Sequence, residues 1–267
     1  MQLALFRWLG AAVLISPIFI RSFSKIRHAL KTHFFILSLL ALLGITGFNT
    51  LLYIGLQNTT ATNALLINSF VPVLILVFSF FILKINVSLR QLVGILLSAF
   101  GVIFLVVRGE IMSLSDIVVN HGDFWVIASA FSWALYSVLV KFRPKELSDV
   151  EFFATTLFLG LFWLIVIYGA MGYSPKDDVI LITTYYPYFL YVAIFPSVVS
   201  YYFWHRGIKE IGANKTGQFT HLMPLFGAIL AYIFLGERLH AFHVIGALFI
   251  AVGIYLSLFS KPQIQQI

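Results

Sequence analysis

Polar and aromatic side chains that could contact a ligand lie inside otherwise apolar stretches of this chain. Their amide, imidazole and phenol groups exchange hydrogen bonds, and their ring faces offer apolar surface. These types suit noncovalent binding of a small amphipathic molecule better than bond-breaking chemistry. The candidate binding residues are Asn49, Tyr53, Asn68, Trp133, Tyr136, Tyr201, His205, Gln218 and His221. Each residue alone also fits a structural hydrogen bond to a neighbouring helix, so the prediction depends on the set.

No catalytic or metal-binding motif accompanies these residues. The sequence lacks a P-loop, a His-Glu-x-x-His and a Gly-x-Ser-x-Gly. His240 and His243 have a spacing that fits one metal-binding face, but they lie beside Glu237 and are interpreted as solvated interfacial residues. Asp177 and Asp178 are interpreted as loop charges. With no cysteine present, the sequence predicts no catalytic residue, no metal and no cofactor.

The elements that must position the candidate residues are long apolar helices. The chain is 61% hydrophobic and 10% charged, with a mean hydropathy of +0.99, which is more apolar than a soluble domain. Stretches of about 20 apolar residues cross a bilayer as helices, whereas barrel strands are shorter and alternate in polarity. The predicted fold is therefore an all-α integral membrane protein, a polytopic helix bundle in a lipid bilayer. The nine predicted spans are Met1–Ile20, Phe34–Ile54, Ala64–Leu83, Leu89–Val107, Phe124–Val140, Phe153–Met171, Tyr186–Trp204, Thr216–Leu235 and Ala241–Phe259.

Basic residues predict the orientation of these spans. The net charge of +7 is spread over short connections and forms no separate basic domain, so no nucleic-acid partner is expected. Thirteen Lys and Arg residues fall on the side of the Arg21–Lys31 loop, and four fall on the other side: Arg7, Arg108, Lys176 and Arg238. Cytoplasmic connections are enriched in basic residues. This bias predicts a multi-pass protein of the cytoplasmic (inner) membrane, with a cytoplasmic C-terminus.

The sequence also contains an internal repeat. Shifting the chain by 152 positions lays Gly55–Val107 on Gly207–Phe259, with Gly and Pro recurring at the same steps. The turn 57–63 then lies outside and its equivalent, 209–215, lies inside, so the two copies cross the membrane in opposite senses. The predicted organisation is a first inverted-repeat half (1–110), a second half (121–260) and a loose polar tail (261–267). Since the helix at 123–141 has no counterpart in the first half, a first helix is expected to be missing from a ten-helix pattern.

This pattern resembles the EamA-type families of the drug/metabolite transporter superfamily, over essentially the whole chain. The resemblance rests on the two halves and on two motifs, Gly122-Asp123…Ser132-Trp133-Ala134…Lys141 and Pro224…Leu235-Gly236-Glu237-Arg238…Gly246…Gly253. The first half departs from the family pattern, because Lys84-Ile85-Asn86 replaces a Gly-Glu pair.

The resemblance implies a secondary transporter that moves small metabolites, amino acids or drug-like molecules. Inverted repeats of this kind work by alternating access around a midplane site. Efflux is the expected direction, the partners are a small-molecule substrate and lipid, and a homo-oligomer remains open. Two alternatives also remain at this point: a truncated or non-transporting membrane protein, and a membrane-embedded enzyme.

Overall fold

The fold is a set of long helices, described by a computed structural model. The structure describes residues 1–173 and 175–259, with backbone alone for 175–177, so the predicted tail 261–267 and the side chain of Asp177 lie outside the described residues. Within this part of the chain, nine helices are long and apolar enough to cross a membrane, as predicted. They are α1 (Gln2–Arg21), α2 (Phe23–Gly55), α3 (Ala61–Leu83), α4 (Leu89–Val106), α5 (His121–Phe142), α6 (Asp149–Ala170), α7 (Asp178–Ile211), α8 (Ala213–Leu235) and α9 (Ala241–Leu258). The missing first helix stays a prediction.

The basic stretch after the first span is helical, which corrects the predicted Arg21–Lys31 loop. Helix α1 ends at Arg21, and α2 begins at Phe23 after one intervening residue. The backbone leaves helical geometry at His33, where φ is −127° and ψ is 29°. Arg21 is therefore the last residue of α1, and Lys25, Arg27 and Lys31 lie on the first turns of α2, ahead of its apolar part.

Backbone irregularities recur at the repeat distance. The non-helical residues His33 and Tyr185 are 152 positions apart, and so are the π-helical turns Leu42–Gly47 and Ile194–Val199. The bounds of α3 and α4 match those of α8 and α9 at the same offset. The repeat detected in the sequence is thus reproduced in the local structure, and it begins well before Gly55.

The chain forms two compact units, each built from two separate segments. Unit 1 contains Met1–Ile54 and Leu139–Glu210, and unit 2 contains Gly55–Val138 and the described residues from Ile211 onwards. Each unit combines segments from both predicted halves, 1–110 and 121–260. The division into inverted-repeat halves stays a prediction about how the sequence is organised, and it does not coincide with these units.

Unit 2 is held by a close antiparallel contact between α4 and α9. A methyl group added to Gly94 would lie 2.5 Å from the carbonyl oxygen of Gly253, and one added to Gly101 would lie 2.8 Å from that of Gly246. Residues without a side chain allow this approach of the two backbones. The repeat offset of 152 places Gly94 at Gly246 and Gly101 at Gly253. The contact between Gly94 and Gly253 is therefore equivalent to the contact between Gly246 and Gly101, as a two-fold axis requires.

Three basic stretches form ion pairs with the start of α6 in unit 1. Lys25 lies 3.3 Å from Glu151, while Arg143 and Lys209 lie 2.5 and 3.2 Å from Asp149. The helix N-terminus favours these carboxylates, and Ser148 caps it together with Glu151. Three stretches that the sequence predicts on one side of the membrane therefore meet at one end of unit 1.

Candidate functional site

Arg7 lies at the centre of a buried polar cluster in unit 1. Its residue is 6% exposed, and its guanidinium donates to neutral acceptors on α2 and α7. Nε donates to Ser197 Oγ (2.5 Å), and Nη2 donates to the Pro196 carbonyl (2.5 Å). Nη1 donates to Asn49 Oδ1 (2.6 Å) and to the Tyr53 hydroxyl (3.0 Å). A cation inside a membrane span is costly and is commonly functional.

The π-helical turns of α2 and α7 supply part of this cluster. A π-turn inserts one residue into the helix and is frequent at functional sites. Pro196 and Ser197 belong to the turn Ile194–Val199, and the Tyr201 hydroxyl donates to the Gly44 carbonyl in Leu42–Gly47 (2.5 Å). Asn49 in turn donates to Tyr201 (3.3 Å). The α7 turn thus directs a backbone and a side-chain oxygen towards Arg7 of α1, and the α2 turn directs a carbonyl oxygen towards Tyr201 of α7.

Four of the nine predicted binding residues are brought together here: Asn49, Tyr53, Tyr201 and His205. The His205 ring lies 6.1 Å from that of Tyr201 and 5.9 Å from that of Phe153. Trp8 packs edge-on against Tyr201, with ring centroids 5.1 Å apart. The cluster therefore combines hydrogen-bonding groups with aromatic rings, and its assignment as a binding site stays a prediction.

Sequence reasoning missed Arg7 as a member of this site. It assigned Arg7 to one face of the membrane, because the residue lies near the start of an apolar span. The structure instead buries the guanidinium against α2 and α7. An arginine followed by Trp8 within a span was the available signal, since intramembrane charges rarely face lipid.

The other five predicted residues, Asn68, Trp133, Tyr136, Gln218 and His221, lie in unit 2. His221 Nε2 lies 2.8 Å from the Ser69 carbonyl oxygen and therefore donates to it. Nδ1 lies 2.7 Å from Ser98 Oγ, which is also 3.0 Å from the Ile95 carbonyl. A neutral ring accepts from Ser98, whereas a protonated ring donates to Ser98 and turns that hydroxyl towards Ile95.

The remaining four residues of unit 2 have different surroundings. The rings of Trp133 and Tyr136 are buried, with centroids 5.4 Å apart. Gln218 is fully buried, and neither of its amide atoms has a hydrogen-bond partner among the described residues. Asn68 is half-buried. Gln218 is the member of this group whose surroundings leave a hydrogen-bonding group unused.

Repeat-equivalent residues contact each other in both units. Asn49 and Tyr201 are 152 positions apart and share a hydrogen bond in unit 1, and Ser69 and His221 do the same in unit 2. A residue that contacts its own equivalent lies close to the axis relating the two copies. In each unit, the axis between the copies therefore passes near predicted binding residues.

An apolar cavity of about 300 Å³ adjoins the polar cluster of unit 1. Phe153 contributes to both, since its ring packs against Tyr201 and also faces the cavity. The cavity is lined by Ile15, Ile18, Val150, Phe153, Val198, Val199, Tyr202 and Phe203. Its volume falls at the lower end of the range for small-molecule sites.

The histidine pair at the start of α9 has a structural role. His243 Nδ1 accepts the backbone N–H of His240 at 2.9 Å, which caps the helix. Across the described residues, no group of three or more His, Asp or Glu side chains is arranged to hold a metal ion.

Comparisons with known proteins all indicate the same family. The model of the EamA-like transporter family matches residues 1–107 and 120–259. The uncharacterized transporter YyaM of Bacillus subtilis is 31% identical over 80% of this chain and 70% of its own length. An uncharacterized transporter of Archaeoglobus fulgidus is 29% identical over 85% of this chain and 77% of its own.

A solved structure supports the fold. One crystal structure at 18% sequence identity superposes with a TM-score of 0.70, covering 96% of this chain and 86% of the other. The membrane-spanning helices, the family match and the relatives all indicate the same general function. This chain belongs to the EamA-like transporter family and is a multi-pass membrane transporter, not an enzyme.

Proposed function

We propose that the protein exports small amphipathic metabolites, amino acids or drug-like molecules across the cytoplasmic membrane by alternating access of its two inverted halves. The observation that carries this proposal is the polar and aromatic cluster around Arg7, at the contact between the repeat-equivalent residues Asn49 and Tyr201. Substrates of inverted-repeat transporters bind near the midplane, where the repeats meet. Hydrogen-bonding groups bordered by aromatic rings suit a ligand with one polar end and one apolar end.

The proposed orientation is supported by the grouping of basic stretches. Lys25, Arg143 and Lys209 all contact the first turn of α6, so their stretches share one side of the membrane. Basic residues favour the cytoplasmic side. The proposal also includes export towards the opposite side and a cytoplasmic C-terminus. Self-association is a further part of it, and light scattering of the purified protein measures that property.

Transport by purified protein in liposomes tests the proposal. Liposomes of known orientation would be loaded with single radiolabelled amino acids and aromatic metabolites, and efflux would be followed with and without the protein. We expect saturable, protein-dependent efflux of at least one amphipathic compound. A folded protein that moves none of the compounds in either direction would contradict the proposed function.

A further inference from the structure

The charge of Arg7 is not neutralised within the described structure. None of its described neighbours is an Asp or Glu within ion-pair distance, and its four hydrogen-bond acceptors are neutral. Arg143, by contrast, has Asp149 at 2.5 Å. A buried cation without a counter-charge is costly, and an anion that binds beside it lowers that cost.

The same cluster has more donors than acceptors. A guanidinium carries five N–H groups, and Arg7 uses four of them. The Tyr53 hydroxyl accepts from Arg7, and its own proton has no acceptor among the described residues. Trp8 is fully buried beside Arg7, and its indole N–H also has no acceptor in the described part of the chain. Two unused protons therefore belong to side chains that contact Arg7, whose guanidinium carbon lies 5.1 Å from the centre of the Trp8 ring and whose Nη1 lies 3.0 Å from the Tyr53 hydroxyl.

An oxyanion matches this surplus of donors. A carboxylate donates no hydrogen bond and offers two oxygens with several acceptor positions, and it pairs with arginine in a planar geometry. Ser197 can release Arg7 without losing all its bonds, because its hydroxyl also donates to the Val192 carbonyl at 2.7 Å. An arriving anion can therefore replace a neutral acceptor of Arg7 at small cost.

We propose that Arg7, Tyr53 and Trp8 form a binding site for the carboxylate of the transported molecule. The apolar part of the ligand would pack against the rings of Phe153 and Tyr201, beside the apolar cavity. This inference rests on the proposed function and names its substrate class: small carboxylates with an apolar or aromatic side chain.

Equilibrium binding of a matched pair of probes tests the site. Phenylacetate and phenylacetamide share ring and chain length and differ in charge. Their dissociation constants would be measured on the full-length protein in lipid nanodiscs by isothermal titration calorimetry. The wild type should bind phenylacetate at least about tenfold more tightly than phenylacetamide, because a charge-assisted pair is stronger than a neutral one.

Variants assign the preference to the cluster. Arg7→Gln should abolish the preference for the acid, and Arg7→Lys should retain part of it as a point charge. Trp8→Phe should weaken phenylacetate binding by about three- to tenfold through loss of one donor, and leave phenylacetamide less affected. Arg27→Gln is the control, because Arg27 is exposed near the start of α2 and belongs neither to the cluster nor to the cavity lining.

Three results would overturn the carboxylate site. They are equal affinity for the two probes, no phenylacetate binding by the wild type, and an unchanged preference in Arg7→Gln. If Arg7→Gln does not fold, wild-type affinity for phenylacetate in Trp8→Phe overturns it instead. Saturable efflux of neutral compounds together with any of these results would leave the proposed transport function standing and reject the carboxylate assignment.

Discussion

The close contact of α4 and α9 predicts a large cost for a single added methyl group. In Gly253→Ala, the new Cβ would lie 2.5 Å from both the Gly94 oxygen and the Ser98 nitrogen, whereas ordinary contact begins at 3.4 Å. Because both atoms belong to a helix backbone, α9 must move by roughly 0.9 Å, which weakens dispersion contacts along the interface. Overpacking of this kind costs about 1–3 kcal/mol. Alanine also favours the helix over glycine by about 1 kcal/mol, which offsets part of the cost.

Gly227→Ala is the matched control for this prediction. Gly227 lies within α8, and a methyl group there meets no atom within 4 Å, so the substitution gains helix propensity alone. The two variants should therefore differ by about 2 kcal/mol in stability, with Gly253→Ala the weaker. Thermal unfolding in detergent, followed by size-exclusion fluorescence, measures the difference. Equal midpoints for the two variants would refute the proposed backbone contact.

Three further predictions concern other parts of the chain. Lys84 ends α3 with φ of 55°, so Lys84→Gly should stabilise the protein by about 1 kcal/mol, and an unchanged or lower unfolding midpoint would contradict this. His221→Ala should lower flux or shift the pH dependence of flux, because the change removes the hydrogen-bond partner of Ser98. Normal flux from pH 5.5 to 8 would exclude a role of His221 in transport. Loss of folding alone would assign His221 a structural role. In intact cells, an impermeant maleimide should label Asp116→Cys but not Lys145→Cys, and the reverse pattern would invert the proposed orientation.

Spans and repeat could be predicted from the sequence because both are local properties. The length of each apolar stretch determines whether a helix there can cross a bilayer. Pro72, Gly94 and their equivalents mark bends and close contacts that must recur if the two copies fold alike. The left-handed residue after α3 illustrates the limit, since Lys84 takes the conformation that Gly236 takes after α8, although the sequences differ.

The grouping of helices could not be predicted in the same way. Hydropathy does not state which helices pack together, so nothing in the sequence indicated that units 1 and 2 each combine both halves. Nor did it show the burial of Arg7, which depends on how α1 packs against Asn49 of α2 and the π-helical turn of α7. The nine candidate residues were selected from polarity and repeat position, and assigning them to a substrate remains a proposal.

Efflux by the Tyr53→Phe variant tests the central claim most directly. This change removes one hydroxyl that contacts Arg7 and keeps the ring, and Tyr232→Phe is the matched control because Tyr232 is 53% exposed on α8. In liposomes with equal amounts of folded protein, we expect Tyr53→Phe to raise the half-saturating substrate concentration by about fivefold, the effect of one hydrogen bond. Tyr232→Phe should match the wild type. Identical half-saturation in all three proteins would contradict the claim that substrate binds at the Arg7 cluster.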